Sequence, residues 1–109
     1  MDQYKHSPFD EEILDAMIQH NQTAFEKFTI LDARIISLIH SYDFYGQPFY
    51  ASNQYIAERC LTTTVTVQKS INKLCDNNLI IKDVSFINGK KQRILRYNKE
   101  GVIKFKNSS

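Results

Sequence analysis

Apolar residues recur at steps of three and four through most of this chain and give way to β-branched and aromatic runs only near its end. Phe9, Ile13, Leu14, Met17 and Ile18 share one stripe, which predicts an amphipathic helix over about 9–21. Ser7 offers an N-cap acceptor, Pro8 suits the first helical position, and Asp10, Glu11 and Glu12 oppose the positive end of the helix dipole. Phe25, Phe28 and Ile30 lead into a second run, where Leu31, Ile35, Leu38, Ile39 and Tyr42 repeat with helical period and predict the most buried helix. Gly46 and Pro48 then end it within the aromatic segment YDFYGQPFY, and a turn leads to a short extended piece closing at Tyr50. These aromatics either stack on unpaired bases or form a lid over a small core.

Ser52 caps the next helix, NQYIAERC, whose Ile56, Ala57 and Cys60 point inward, the small Ala57 letting another helix pass close. Leu61-Thr62 breaks the period, Thr63 caps again, and Val67, Ile71 and Leu74 carry a further helix. The chain has made helix, tight turn, helix. From Leu79 onward β-branched and aromatic residues flank Asn88-Gly89, a dipeptide that tolerates the positive φ of a two-residue type I′ turn and so predicts a hairpin. With that turn Val84 faces Arg93 and Lys82 faces Leu95, so neither face is cleanly apolar and a bulge is left open. GVIKFK, residues 101–106, reads as a closing strand or as a return over the core.

Three helices and a β-hairpin, with an extended piece after the first of the three, follow the order of a winged helix-turn-helix: an α+β, mostly helical fold with an extra N-terminal amphipathic helix. The segment ASNQYIAERCLTTTVTVQKSINKLCDNNLI resembles the helix-turn-helix of winged-helix proteins such as MarR-like regulators and DnaD-like primosomal and replication-initiator modules of bacteria, phages and plasmids. The residues that carry the resemblance are Ser52, Ile56-Ala57, Thr63, Thr66-Val67, and the ladder Ile71, Leu74, Leu79, Ile80. It covers roughly residues 30–98. Leu61 stands in the tight turn where that family often has Gly, and Asn78 precedes the wing where Gly is also common. The expected organisation is an N-terminal helical extension over 1–28, a winged helix over 29–98 and a C-terminal tail over 99–109.

The physical case for nucleic acid is geometric. Burying Val67, Ile71 and Leu74 leaves Thr64, Val65, Gln68, Lys69 and Asn72 outward, side chains suited to a major groove. Ser52, Asn53 and Thr63, at the two helix starts, complete this candidate face. Lys90, Lys91, Arg93 and Arg96, with Lys82 on the facing strand, make a compact cation at the hairpin that neutralises phosphates or enters a minor groove. The competing readings are an ordinary exposed helix and a solubilising hairpin tip.

The 109 residues, 42% hydrophobic, fit one domain. A net charge of +2 hides an asymmetry: seven acids and three bases over residues 1–34, against two acids and eight bases over 79–109. That permits an anionic partner at one end. Cys60 and Cys75 match no zinc-site spacing and read as reduced core thiols, and no cofactor or metal is expected. No run is apolar enough to span a membrane, and the acidic start is unlike a signal peptide, so a cytoplasmic, nucleoid-associated protein is expected. No nucleophile triad, paired-carboxylate site or glycine-rich phosphate loop is visible, which argues against an enzyme. Double-stranded DNA is the expected partner, for transcriptional regulation or for replication or transfer of a mobile element. A homodimer through Phe9, Ile13 and Met17 is the expected assembly, the alternative being that this helix covers the core of its own protomer. The alternative is a winged-helix protein–protein interaction module in a replication or other multiprotein complex.

Overall fold

In the computed structural model, which describes residues 10–108, four of the helices begin at a side chain that accepts a hydrogen bond from their own first turn. The order is α1 (Glu11–Asn21), α2 (Ile30–Phe44), α3 (Asn53–Cys60), α4 (Thr64–Asp76), β1 (Ile80–Ile87), β2 (Lys90–Tyr97) and α5 (Lys99–Asn107). Ser52 and Thr63 cap α3 and α4 as the sequence predicts. For α1 the cap is Asp10, whose Oδ1 accepts from Ile13 N at 3.0 Å. Helix thus starts two or three residues later than Pro8 implied; Ser7, Pro8 and Phe9 lie outside the described residues. Asp10 carries a second load, an ion pair with Lys106 of α5 at 3.1 Å, which ties the two end helices together.

The α2 helix runs through the middle, with Ala33, Ile35, Ile36 and Ile39 all buried. Around it pack Ile56 and Ala57 of α3, Val67, Ile71 and Leu74 of α4, and Leu79, Ile80 and Leu95 from the base of the hairpin. The aromatic segment divides. Phe49 is buried, meets Tyr42 edge-on at 4.7 Å and accepts through its carbonyl from Leu95 N at 2.9 Å, making a one-residue third strand beside β2. Phe44, Tyr45 and Tyr50 stay exposed, so the lid is made by Phe49 and Tyr42 alone.

The hairpin pairs without a bulge, Val84 opposite Arg93 and Lys82 opposite Leu95. Asn88 and Gly89 both take positive φ, 54° and 77°, as the type I′ turn requires. The mixed faces follow from how the hairpin is covered: its buried positions are concentrated at the base. At the base Ile80, Ile94 and Leu95 are covered by helices and by the Phe49 strand, whereas Val84 and Phe86 project with the tip. This arrangement, three helices and a two-stranded wing with a helix added at each end, is a winged helix.

The structure decides one expectation left open and corrects another. Residues 99–107 form a helix, not a closing strand: Val102 enters the core and Phe105 packs against Phe28 at 5.5 Å, so the segment returns over the core as a helix. Gly101 makes that return fit, since a Cβ there would meet the Asn78 carbonyl oxygen at 1.8 Å. The second concerns α1. Ile13 and Met17, expected at a dimer interface, are each only 1% exposed and belong to the chain's own core. A second copy finds no surface on either side chain. Ile18, expected inward, is 52% exposed instead, because α5 and α2 cover only the other edge of the stripe.

Candidate nucleic-acid interface

The turn between α3 and α4 sets where α4 points. Leu61 ends α3 in the left-handed conformation, φ 55° and ψ 50°, and Thr62 N then donates to Ala57 O at 2.9 Å. A leucine therefore makes the turn for which glycine is the usual residue, while its side chain, 92% exposed, gains nothing from packing. Asn78 does the same after α4, with φ 60°, and delivers the chain to the wing.

On its inner side α4 is gripped by a charged network that the hydrophobic pattern does not reveal. Asp32 of α2 is buried; its Oδ1 accepts from the Ser70 hydroxyl and its Oδ2 from Lys73 Nζ at 2.7 Å. Oδ2 also accepts from Thr29 N at 2.7 Å, closing the capping box of α2. Lys73 donates further to Lys27 O at 2.9 Å and lies over the Phe28 ring. Two signals in the sequence point here: Thr29-x-x-Asp32 has capping-box spacing, and Ser70 sits on the same stripe as Val67, Ile71 and Leu74.

On its outer side α4 presents Thr64, Val65, Lys69 and Asn72 to solvent, with Gln68 half-buried. The five side chains predicted outward thus lie together on one face. Ser52 and Thr63 are engaged as caps, accepting from Tyr55 N at 3.1 Å and Thr66 N at 3.2 Å. Asn53 Nδ2 donates to Gln68 Oε1 at 2.7 Å, and Gln68 Nε2 donates to Asn72 Oδ1 at 2.9 Å.

The wing cations separate into two kinds. Arg93 is not a free cation at the tip: its guanidinium is half-buried against the start of α3, donating through Nη1 to Asn53 Oδ1 at 2.7 Å and through Nη2 to Ala51 O at 2.9 Å. Burial lowers its pKa below the usual arginine range, opposed by the nearby Cys75. Arg96 pairs with Asp83 at 3.5 Å on the exposed face. Lys90 and Lys91 are exposed and have no ion-pair partner among the described residues. Strand alternation puts Lys91 on the face of the wing that carries Arg93, roughly 7 Å further toward the tip. Bases that form one run in sequence are thus divided by the fold, which makes Arg93 an anchor and leaves Lys90 and Lys91 exposed.

Cys60 and Cys75 are free thiols, half-buried, and burial raises the pKa of each. Tyr97, stacked on His40 at 4.1 Å, is pushed up to about 12 by burial and by the nearby Asp10, Asp43 and Glu12. No group of three or more metal-ligating side chains is found among the described residues, and no helix there is long and apolar enough to cross a membrane.

No protein-family model matches the chain, and no curated relative does. Its fold does have solved counterparts. A mutant form of Lactococcus lactis ZitR superposes with a TM-score of 0.55 over 90% of this chain and 68% of that one, at 19% identity. Wild-type ZitR in complex with DNA gives 0.52 over 90% and 70%, again at 19% identity. At this identity the likeness is one of fold, and it places the chain among winged-helix structures.

Proposed function

We propose that this protein is a double-stranded DNA-binding transcriptional regulator without enzymatic activity, which lays α4 in the major groove and sets its wing on the phosphate backbone or in the adjoining minor groove. One observation carries the reading: the outward face of α4, with Thr64, Val65, Gln68, Lys69 and Asn72, adjoins a wing whose exposed Lys91 shares a face with Arg93, itself bonded to the start of α3. Polar side chains that bond base edges and cations that neutralise phosphates therefore stand on one side of one rigid unit. The existence of a DNA complex for a protein of this fold supports it. The MarR-like resemblance agrees with regulation; the alternative of replication or transfer keeps the same DNA contacts and differs in where the site lies. A homodimer reading two half-sites is part of the same proposal, joined through a surface other than Ile13 and Met17, and is tested by whether selected sites repeat about one helical turn apart.

The experiment is binding of the purified protein to duplexes selected from a random pool, to unselected duplex and to single strands at two salt concentrations. Tight binding to selected duplex that falls steeply with salt is expected. Lys91→Ala weakens all duplexes alike and reduces the salt slope by about one, whereas Gln68→Ala costs about 1–3 kcal/mol on the selected site alone. Absence of binding to any of them at low salt overturns the reading and favours a protein-interaction module.

A further inference from the structure

The amides on the outer face of α4 are not independent readers. Arg93, Asn53, Gln68 and Asn72 form one chain of hydrogen bonds from the wing, through α3, to the middle of α4, with links of 2.7, 2.7 and 2.9 Å. The direction of that chain follows from its first member. A guanidinium only donates, so the oxygen of Asn53 must face Arg93 and its nitrogen must face Gln68. Gln68 then has to turn its oxygen to Asn53 and its nitrogen to Asn72. Asn72 is left with its oxygen engaged and its NH2 group as the open end, on an exposed side chain. An amide free to flip would offer donor or acceptor with equal ease; here a residue on the wing chooses.

We infer that Arg93 is a specificity-determining positioning residue, which fixes the donor polarity of the Asn53–Gln68–Asn72 amide chain so that the Asn72 end selects hydrogen-bond acceptors in the major groove. This rests on the DNA-binding reading above. The acceptors available there are guanine O6 and N7, adenine N7 and thymine O4, while the exocyclic amine of cytosine is disfavoured. Two of the five guanidinium N–H donors of Arg93 are spent on Asn53 and Ala51, and its positioning role does not require it to touch a base.

The chain can be reversed by one atom. In Asn53→Asp the carboxylate still accepts from Arg93 but cannot donate to Gln68, so Gln68 must turn its nitrogen toward residue 53 and its oxygen toward Asn72, which leaves the Asn72 oxygen outward. The variant keeps the contact with Arg93 and puts an acid in the first turn of α3, so it folds. The test compares duplexes selected by the wild type and by Asn53→Asp, the base pair read by Asn72 being the one at which Asn72→Ala loses discrimination. The expected result is an exchange of preference at that pair, from an acceptor base to cytosine or to the adenine amine, by about tenfold in relative affinity. Arg93→Lys, still a pure donor, keeps the wild-type preference, and Arg93→Gln, which can donate or accept, relaxes it. Side-chain 1H–15N spectra of the free proteins report the rearrangement of the Gln68 and Asn72 NH2 groups without DNA. An unchanged preference in Asn53→Asp, or an equal loss on all duplexes in Arg93→Gln, overturns the inference while DNA reading stands. A wild type that binds duplex without selecting a sequence likewise overturns the inference, and one that binds no duplex at low salt overturns the DNA reading itself.

Discussion

The two sides of α4 are held by networks of similar size and opposite character. Inside, a buried carboxylate on Asp32 gathers Ser70, Lys73 and the Thr29 amide; outside, a half-exposed row of neutral amides runs from Arg93 to Asn72. A buried charge that loses its partners has nowhere to be solvated, so the inner network is strongly coupled to folding. An amide that loses a partner at the surface meets water at little cost. The difference teaches that one helix can be secured by one network and have its chemistry oriented by another.

Asp32→Ala draws the contrast most sharply. It strands Lys73 and Ser70 and removes the capping box of α2, and it is expected to cost about 3–5 kcal/mol, read as a fall in the midpoint of urea unfolding. Replacing the cluster together, with Asp32→Leu, Ser70→Ala and Lys73→Met, is expected to recover most of that loss, since no charge is left buried alone. A loss below about 1 kcal/mol for Asp32→Ala would put the two networks in one class.

Leu61→Gly comes next and acts between the two networks. A leucine held at φ 55° is strained by roughly 1–2 kcal/mol, and glycine relieves this at the expense of a larger unfolded-state entropy. The expected net gain is about 1 kcal/mol, seen as a higher Tm. If the networks rather than the turn set the angle of α4, base discrimination stays unchanged in this variant; altered discrimination would return that role to the turn.

Why the sequence discloses some of this and not the rest follows from the range of each signal. Ser52, Thr63 and Asn88-Gly89 act on backbone within three residues of themselves, so caps and hairpin turn are legible from local spacing. The outward set on α4 follows from periodicity alone. Arg93 looks like its neighbours Lys90 and Lys91 in sequence, and only the fold, which brings residues 40 apart together, distinguishes an anchor from a free cation. Asp32 and Ser70, 38 apart, are hidden for the same reason. The segment 101–106 stays ambiguous in the sequence because Val102, Ile103 and Phe105 favour strands locally, whereas in the fold Val102 is buried, Phe105 packs partly buried against the core and Ile103 is exposed, as on the two sides of a helix. Ile13 and Met17 form an apolar stripe that serves a second copy or the chain's own core equally well on paper; α1 packs it against α2 and against α5, which is unseen as a helix in the sequence.

The smallest effect is the most telling about the outer side. Asn53→Ala cuts the amide chain in its middle, freeing Gln68 from α3 and leaving Arg93 with Ala51 alone. Because Asn53 is half-exposed and uncharged, water replaces its bonds, and the expected loss of stability is about 0.5–1 kcal/mol. Paired with Gln68→Ala in a double-mutant cycle, the coupling in stability is expected at about 0.5 kcal/mol, because only one shared hydrogen bond is removed. In DNA selection the same two variants are expected to converge, each losing preference at the base pair that Asn72 reads, because either substitution leaves the Asn72 amide free to turn. A stability loss approaching that of Asp32→Ala would mean that the wing and α3 are welded to α4 for folding, and that the orientation of the amides is a by-product of that weld.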